Sequence, residues 1–282
     1  MSDGVSRSSL AAIARAEGRL SLSFRVRGGR TVIGRFEQAG SLRARLPRPE
    51  SGAFAGAVTM NTAGGIASGD SLATSVLWEP EAAATVSAAA AERVYRARHG
   101  EAAARVQTLL DVREGGIAEW LPQETILFDG ARLDRTLSVR LAEGASCLVV
   151  EALVFGRTAR GEAMRGGLLR DRVEITRGGR LVHADTVRLE GDIAAVLARP
   201  AVASGGVAVA SVIRAGPAGE AARDQLRHAF AGLAGAEAGA SLREGLVLGR
   251  IVARDGASLR RGVLAALAAL RQDRPVPRVW LC

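Results

Sequence analysis

Apolar and polar residues alternate through much of the chain, the pattern of strands buried on one face. Leu20, Leu22, Phe24 and Val26 interleave with Arg19, Ser21, Ser23 and Arg25, and Gly28-Gly29 then supplies a hairpin-type turn. Leu133, Leu137, Val139 and Leu141 share one face, with Arg132, Asp134, Thr136, Ser138 and Arg140 on the other. Leu169, Val173 and Ile175 repeat the pattern before Gly178-Gly179, and Leu181, Val187 and Leu189 after it. Cys147 to Phe155 is nearly all apolar, which predicts a strand covered on both faces. Turn signals at Gly100, Gly115-Gly116, Asp129-Gly130, Glu143-Gly144, Gly161 and Gly178-Gly179 recur about 14 to 17 residues apart. With no repeated sequence unit, this predicts either a long β-meander or a coiled stack of sheets.

The periodicity changes late in the chain. Pro217 to Leu233 sets Leu226, Phe230 and Leu233 on one helical face, and Ser258 to Leu270, with Ser258 as cap, does the same for Leu259, Val263, Leu267 and Leu270. Leu246 to Val252 reads as a strand between them. The expected fold is mainly β (α+β), one domain over residues 1–282, with a β-rich body over 14–213 and a helix–strand–helix over 217–272.

Composition narrows the function classes. A net charge of +9 is carried by arginine alone, since the chain has no lysine. The arginines are scattered and only 4% of residues are aromatic, which argues against nucleic acid and for a solvated basic surface suited to acidic protein partners. Cys147 and Cys282 make no disulfide framework or metal motif. Neither a signal peptide at Met1 to Leu20 nor a membrane span is expected, which predicts a cytoplasmic chain. The lysine of a P-loop and a G-x-S-x-G elbow are both lacking, and His99, His183 and His228 are dispersed. His183 shares a parity with Leu181 and Val187 and reads as a structural histidine facing the core.

Three features carry candidate chemistry. Asn61 to Asp70, NTAGGIASGD, leads into a strand rather than a helix, so a close-packed loop is favoured over a dinucleotide cradle. Glu119 and Glu124 flank Trp120-Leu121-Pro122-Gln123, and such a pair could serve acid–base hydrolysis. Glu151 stands inside an apolar strand, where it must pair with an arginine or line an internal polar passage.

Glu119 to Gly130, EWLPQETILFDG, resembles the signature of the urease accessory protein D family (UreD, or UreH). Asn61 to Asp70, Glu92-Arg93-Val94-Tyr95-Arg96, Glu151 to Glu162 and Pro277-Arg278-Val279-Trp280 are similar to further motifs of that family, in order, over roughly residues 14–191 and more loosely through the C-terminal helices. Two motifs depart: Ser87 to Ala90 replaces a threonine-bearing pair, and Phe54 to Met60 lacks a Cys-His pair. The resemblance implies a non-enzymatic nickel-insertion chaperone with a β-superhelix of stacked sheets and a C-terminal helix pair. It would act with accessory proteins F and G, the latter a GTPase, on urease apoprotein, and be poorly soluble without accessory protein F. It also implies a transit route for Ni²⁺ with no permanently bound cofactor. On that basis Asp70, Glu119, Glu124, Glu151 and Glu162 are the expected passage residues. Tyr95, Trp120, Pro122, Gln123, Phe128, Arg157 and Trp280 are the expected partner-binding or structural positions. The rival readings are a β-rich carboxylate-dependent hydrolase and a nickel-independent adaptor for acidic proteins.

Overall fold

The computed structural model describes residues 15–49, 54–271 and 274–281. Most of the N-terminal stretch read for a signal peptide, and Cys282, lie outside them. The chain opens with a hairpin, β1 (Glu17–Arg27) and β2 (Arg30–Gly40), turned at Gly28 and Gly29, both at positive φ. It crosses to a second sheet through β3 (Leu42–Arg45) and β4 (Ala55–Asn61). Successive coils then lay one strand in each sheet: β5 (Ser71–Trp78), β6 (Ala83–Ala88) and the short β7 (Glu92–Val94); β8 (Ala104–Val112), β9 (Ile117–Leu121) and the short β10 (Thr125–Leu127); β11 (Arg132–Leu141) and β12 (Ser146–Phe155). The hairpin β13 (Leu168–Arg177) and β14 (Arg180–Glu190) ends the first sheet. A short α1 (Ile193–Leu197) leads to β15 (Ala208–Ala215), α2 (Gly219–Phe230), β16 (Ala236–Arg243), β17 (Leu246–Ala253) and α3 (Gly256–Arg271).

The first sheet has the order β14-β13-β11-β8-β5-β1-β2, and the second β16-β17-β15-β12-β9-β6-β4-β3. Strands β1, β5, β8, β11 and β13 are parallel, as are β4, β6, β9 and β12. This is the coiled stack and not the meander. A parallel partner can be reached only by a crossover, here a trip through the opposite sheet, so each turn signal marks part of a coil rather than a hairpin.

The pleat sorts the side chains of the second sheet. Along β12, Cys147, Val149, Leu153 and Phe155 join a core between the two sheets, while Leu148, Val150, Ala152 and Val154 join a second core under α2 and α3. That explains the uninterrupted apolar run: one face meets a sheet and the other meets helices. Leu133, Leu137, Val139 and Leu141 of β11 are all buried in the inter-sheet core.

Several local readings differ from the structure. Val26 and Leu181 lie beside the turns of the two edge hairpins and are 42% and 54% exposed. His183, on the edge strand β14, is only half-buried; desolvation lowers its pKa, countered in part by Asp185. Asp255, not Ser258, caps α3, accepting from the Ser258 N–H at 2.7 Å. Leu233 falls beyond the end of α2. The C-terminal part contains an extra strand, β16, whose sequence AEAGASLR carries a single large apolar residue and gives little alternating signal.

Candidate functional site

The matched motifs meet in space at one end of the coil. The Tyr95 hydroxyl donates to the Gly64 carbonyl at 2.7 Å, and its ring lies where any side chain on Gly65 would go, 2.5 Å from a Cβ there. Phe128, from the next coil, meets Tyr95 edge-on at 5.3 Å between ring centres, and the Arg157 guanidinium lies 4.4 Å over Phe128. Glu162 completes the row, held by Arg157 and accepting from the Asp129 N–H at 3.2 Å. Asp70 closes its own loop, accepting from the N–H groups of Ala67 at 2.7 Å and Ala16 at 2.8 Å.

The stretch around Pro122 holds the C-terminal segment on the helix side of the second sheet. Pro122 separates β9 from β10 and leaves Gln123 and Glu124 outside the ladder. Gln123 donates to the Val279 carbonyl, and Arg260 of α3 donates to Gln123 at 3.0 Å, to Glu124 at 3.3 Å and to the Trp280 carbonyl at 2.7 Å. Trp280, fully buried, donates from Nε1 to the Leu121 carbonyl at 3.0 Å. Glu119, 1% exposed, accepts from Arg271 Nη2 at 2.9 Å, Arg274 Nη2 at 2.9 Å and the Thr85 hydroxyl at 2.5 Å. Burial alone would raise its pKa, but Arg271, Thr85 and Arg274 together outweigh burial and hold it below the usual carboxylate range. With Glu119 sealed and Glu124 tied to Arg260, this pair presents no open face where a water and a scissile bond could sit, so the geometry gives the hydrolase reading no support.

The opposite face of the same sheet is different. Glu151 of β12 reaches across to the first sheet, where Arg135 Nη1 meets its Oε2 at 2.7 Å. Arg135 also forks onto Asp171 of β13, from Nε at 2.8 Å and Nη2 at 2.7 Å. Trp120 donates from its indole to Glu151 Oε1 at 3.0 Å. Arg135 and Asp171 are register partners on adjacent parallel strands, and both fall in the inward rows of their strands. Burial raises the Glu151 pKa; Arg135 opposes that, while Asp171 adds to it and the indole N–H subtracts. Arg135 itself is held protonated, because Asp171 and Glu151 outweigh its desolvation.

Arg135 and Glu151 line two inter-sheet cavities at once. The larger, about 240 Å³, runs from a rim at Gly64, Ala89, Ala90 and Glu92 past Val106 and Thr125 to Trp120 and the ion pair. The smaller, about 20 Å³, continues on the other side to Asp185 and Arg250, an ion pair that ties β14 to β17. Glu92 at the rim is partly buried, which raises its pKa against the pull of the Arg93 N–H, Asn61 and the Arg93 charge. Along the two cavities the carboxylates therefore come in the order Glu92, then Glu151 with Asp171, then Asp185.

Of the five carboxylates expected on a passage, only Glu151 lines these cavities; Asp70, Glu119, Glu124 and Glu162 are bound elsewhere. Glu92, Asp171 and Asp185 were not among the expected residues. Arg135 and Asp171 had a readable signal, since each interrupts an otherwise apolar inward row. Among the described residues, no three His, Cys, Asp or Glu side chains are gathered as a metal cluster. The buried Cys147 thiol is pushed up to about 11 by desolvation and stays protonated at neutral pH. No helix among the described residues is long and apolar enough to cross a membrane.

Fold and interior together define a mainly β protein of two coiled sheets with a helix-covered face and a charged seam between the sheets. The chain belongs to the UreD urease accessory protein family, whose model matches residues 16–281. It is 45% identical over 267 residues to the urease accessory protein UreD of Rhodopseudomonas palustris strain HaA2, covering 95% of this chain and 94% of that one. The like-named proteins of Methylobacterium sp. strain 4-46 and Azorhizobium caulinodans are 46% and 44% identical, over 94% of this chain and 95% and 96% of theirs.

Proposed function

We propose that this chain is a non-catalytic scaffold for maturation of the urease nickel centre, working in the cytoplasm with accessory proteins F and G on urease apoprotein, and that Ni²⁺ crosses it between the two sheets. The observation that carries the passage is the line of carboxylates along the two adjoining cavities, converging on Glu151. A cargo ion needs donors that replace part of its water shell without trapping it. One or two carboxylate oxygens at a time do this, whereas three or four convergent His and Cys ligands would hold it. Glu92 would collect the ion at the rim, Glu151 and Asp171 would carry it through the middle, and Asp185 would receive it at the far side. Trp120 and Thr125 line the larger cavity, and the Trp120 indole orients the inner carboxylate. The remaining motif residues support this by shape: Tyr95, Phe128, Arg157 and Glu162 tie successive coils together, while Gln123, Glu124, Arg260 and Trp280 fasten the helices to the second sheet.

The test is activation of apo-urease at limiting nickel with Glu151→Gln, which keeps the size and the acceptor for Trp120 but removes the charge. Activation should fall sharply while the accessory complex still assembles. Unchanged activation would sink the passage role of Glu151, and a loss seen only together with lost assembly would assign it to structure.

A further inference from the structure

We propose that Arg135 is the gate of this passage: its guanidinium closes the neck between the two cavities, standing between Glu151 and Asp171 where a divalent cation would stand, and withdraws when one arrives. The inference rests on the passage reading and adds the device that controls it. Arg135 is part of the wall of both cavities, so its position decides whether they connect. A fixed positive charge at a neck repels a cation and occupies the donors it needs. The clamp is unbalanced, however, with two carboxylates facing one guanidinium. A divalent ion taking its place would neutralise both, so exchange is favoured by charge and not by shape alone. Room for the exchange exists. The 240 Å³ cavity lies on one side of Arg135, and the Thr125 hydroxyl, 3.4 Å from Nη1, is an acceptor on that side. Asp185 is already engaged by Arg250, so the far cavity offers the guanidinium no comparable resting place.

A bridge that only joined the two sheets would sit equally well in a solid core. It would have no reason to respond to a weaker clamp, and that separates the two roles. Arg135→Lys keeps the charge but loses the fork, since an ammonium is a point donor. Val106→Trp adds bulk to the wall of the larger cavity at a residue that is no part of the ion pair. With the full-length chain co-expressed alongside urease and its accessory proteins, Arg135→Lys should speed activation at limiting nickel by about tenfold, the factor corresponding to ~1.4 kcal/mol of weaker clamping. Val106→Trp should abolish activation in both backgrounds. In equilibrium dialysis against Ni²⁺ alone, Arg135→Met should take up one more ion per chain than the unaltered protein, and Arg135→Met with Glu151→Gln should lose it. If Val106→Trp has no effect, the passage itself falls and the gate with it. If Val106→Trp blocks activation, but Arg135→Lys matches the unaltered rate and Arg135→Met gains no ion, the gate is overturned and the passage stands. Should Arg135→Met fail to show a cooperative melt, the Arg135→Lys rate alone decides.

Discussion

Two buried charge clusters sit back to back on the second sheet, and they are built to opposite plans. On the helix side, Glu119 is one carboxylate between two guanidiniums, with its oxygens fully engaged and the C-terminal segment packed over it. On the inner side, Glu151 and Asp171 are two carboxylates sharing one guanidinium, flanked by cavities. Their environments push the two glutamates in opposite directions, Glu119 down and Glu151 up. A surplus of cation in a sealed site fixes a negative charge permanently and fastens α3 and the residues after it to the sheet. A surplus of anion beside open space leaves a negative charge unsatisfied and available to a cation. Burial of a carboxylate does not itself distinguish a rivet from a waypoint; the local charge balance and the adjacent volume do.

Removing the rivet should have the larger effect on stability. Glu119→Gln leaves the Arg271 side chain, only 2% exposed, without a counter-charge. Taking one partner from a buried ion pair costs about 3–5 kcal/mol. For a chain of this size that lowers the melting temperature by roughly 10 °C. A melt within a degree or two of the unaltered protein would mean that the cluster is solvated and the contrast is false. Glu151→Gln should cost less, about 1–2 kcal/mol, because Arg135 keeps its fork on Asp171 and the indole keeps an acceptor. The two substitutions should therefore rank oppositely in two assays. Glu119→Gln hurts the melt most, and Glu151→Gln hurts nickel-limited activation most at equal amounts of folded protein. The same ranking in both assays would erase the distinction.

Much of the frame was legible in the sequence, and the reasons for the gaps are physical. Alternation located β1, β11, β13 and β14, and the run Cys147 to Phe155 marked a strand covered on both faces, which the structure covers with a sheet on one side and helices on the other. Glu151 stood out because a charge inside such a run must be answered. The answer, Arg135, was legible too, since it falls in the inward row with Leu133 and Leu137, but a row read for its apolar members passes over the exception. Glu119 is the opposite case. Its partner Arg271 is 152 residues away, on a different element, and no local pattern links a strand to a helix at that range. The five carboxylates were drawn from the matched motifs, and a resemblance in sequence does not separate a residue that holds the fold from one that meets a cargo ion. Asp70 ties down a loop and Glu162 a coil end, both away from the two cavities. Glu92 and Asp185, at the outer ends of the two cavities, needed three-dimensional adjacency to be seen.

The smallest effect gives the finest test of the comparison, because it depends only on the sign of two pKa shifts. A carboxylate whose folded pKa lies below its unfolded value contributes stability above the unfolded pKa and loses it as pH falls through the folded pKa. Glu119 is of this kind, so the melting-temperature gap between the unaltered protein and Glu119→Gln should shrink as pH drops through the acid range below about 4. A carboxylate whose folded pKa is raised behaves in reverse: its contribution is complete below the unfolded pKa and is lost as pH rises through the folded pKa. Glu151 is of this kind, so lowering the pH from neutral should stabilise the unaltered protein relative to Glu151→Gln. The two difference curves, followed by thermal melts from pH 7 downward, should slope in opposite directions. Parallel slopes would place both glutamates in equivalent surroundings, and the inner cluster would then lose the unsatisfied charge on which both passage and gate depend.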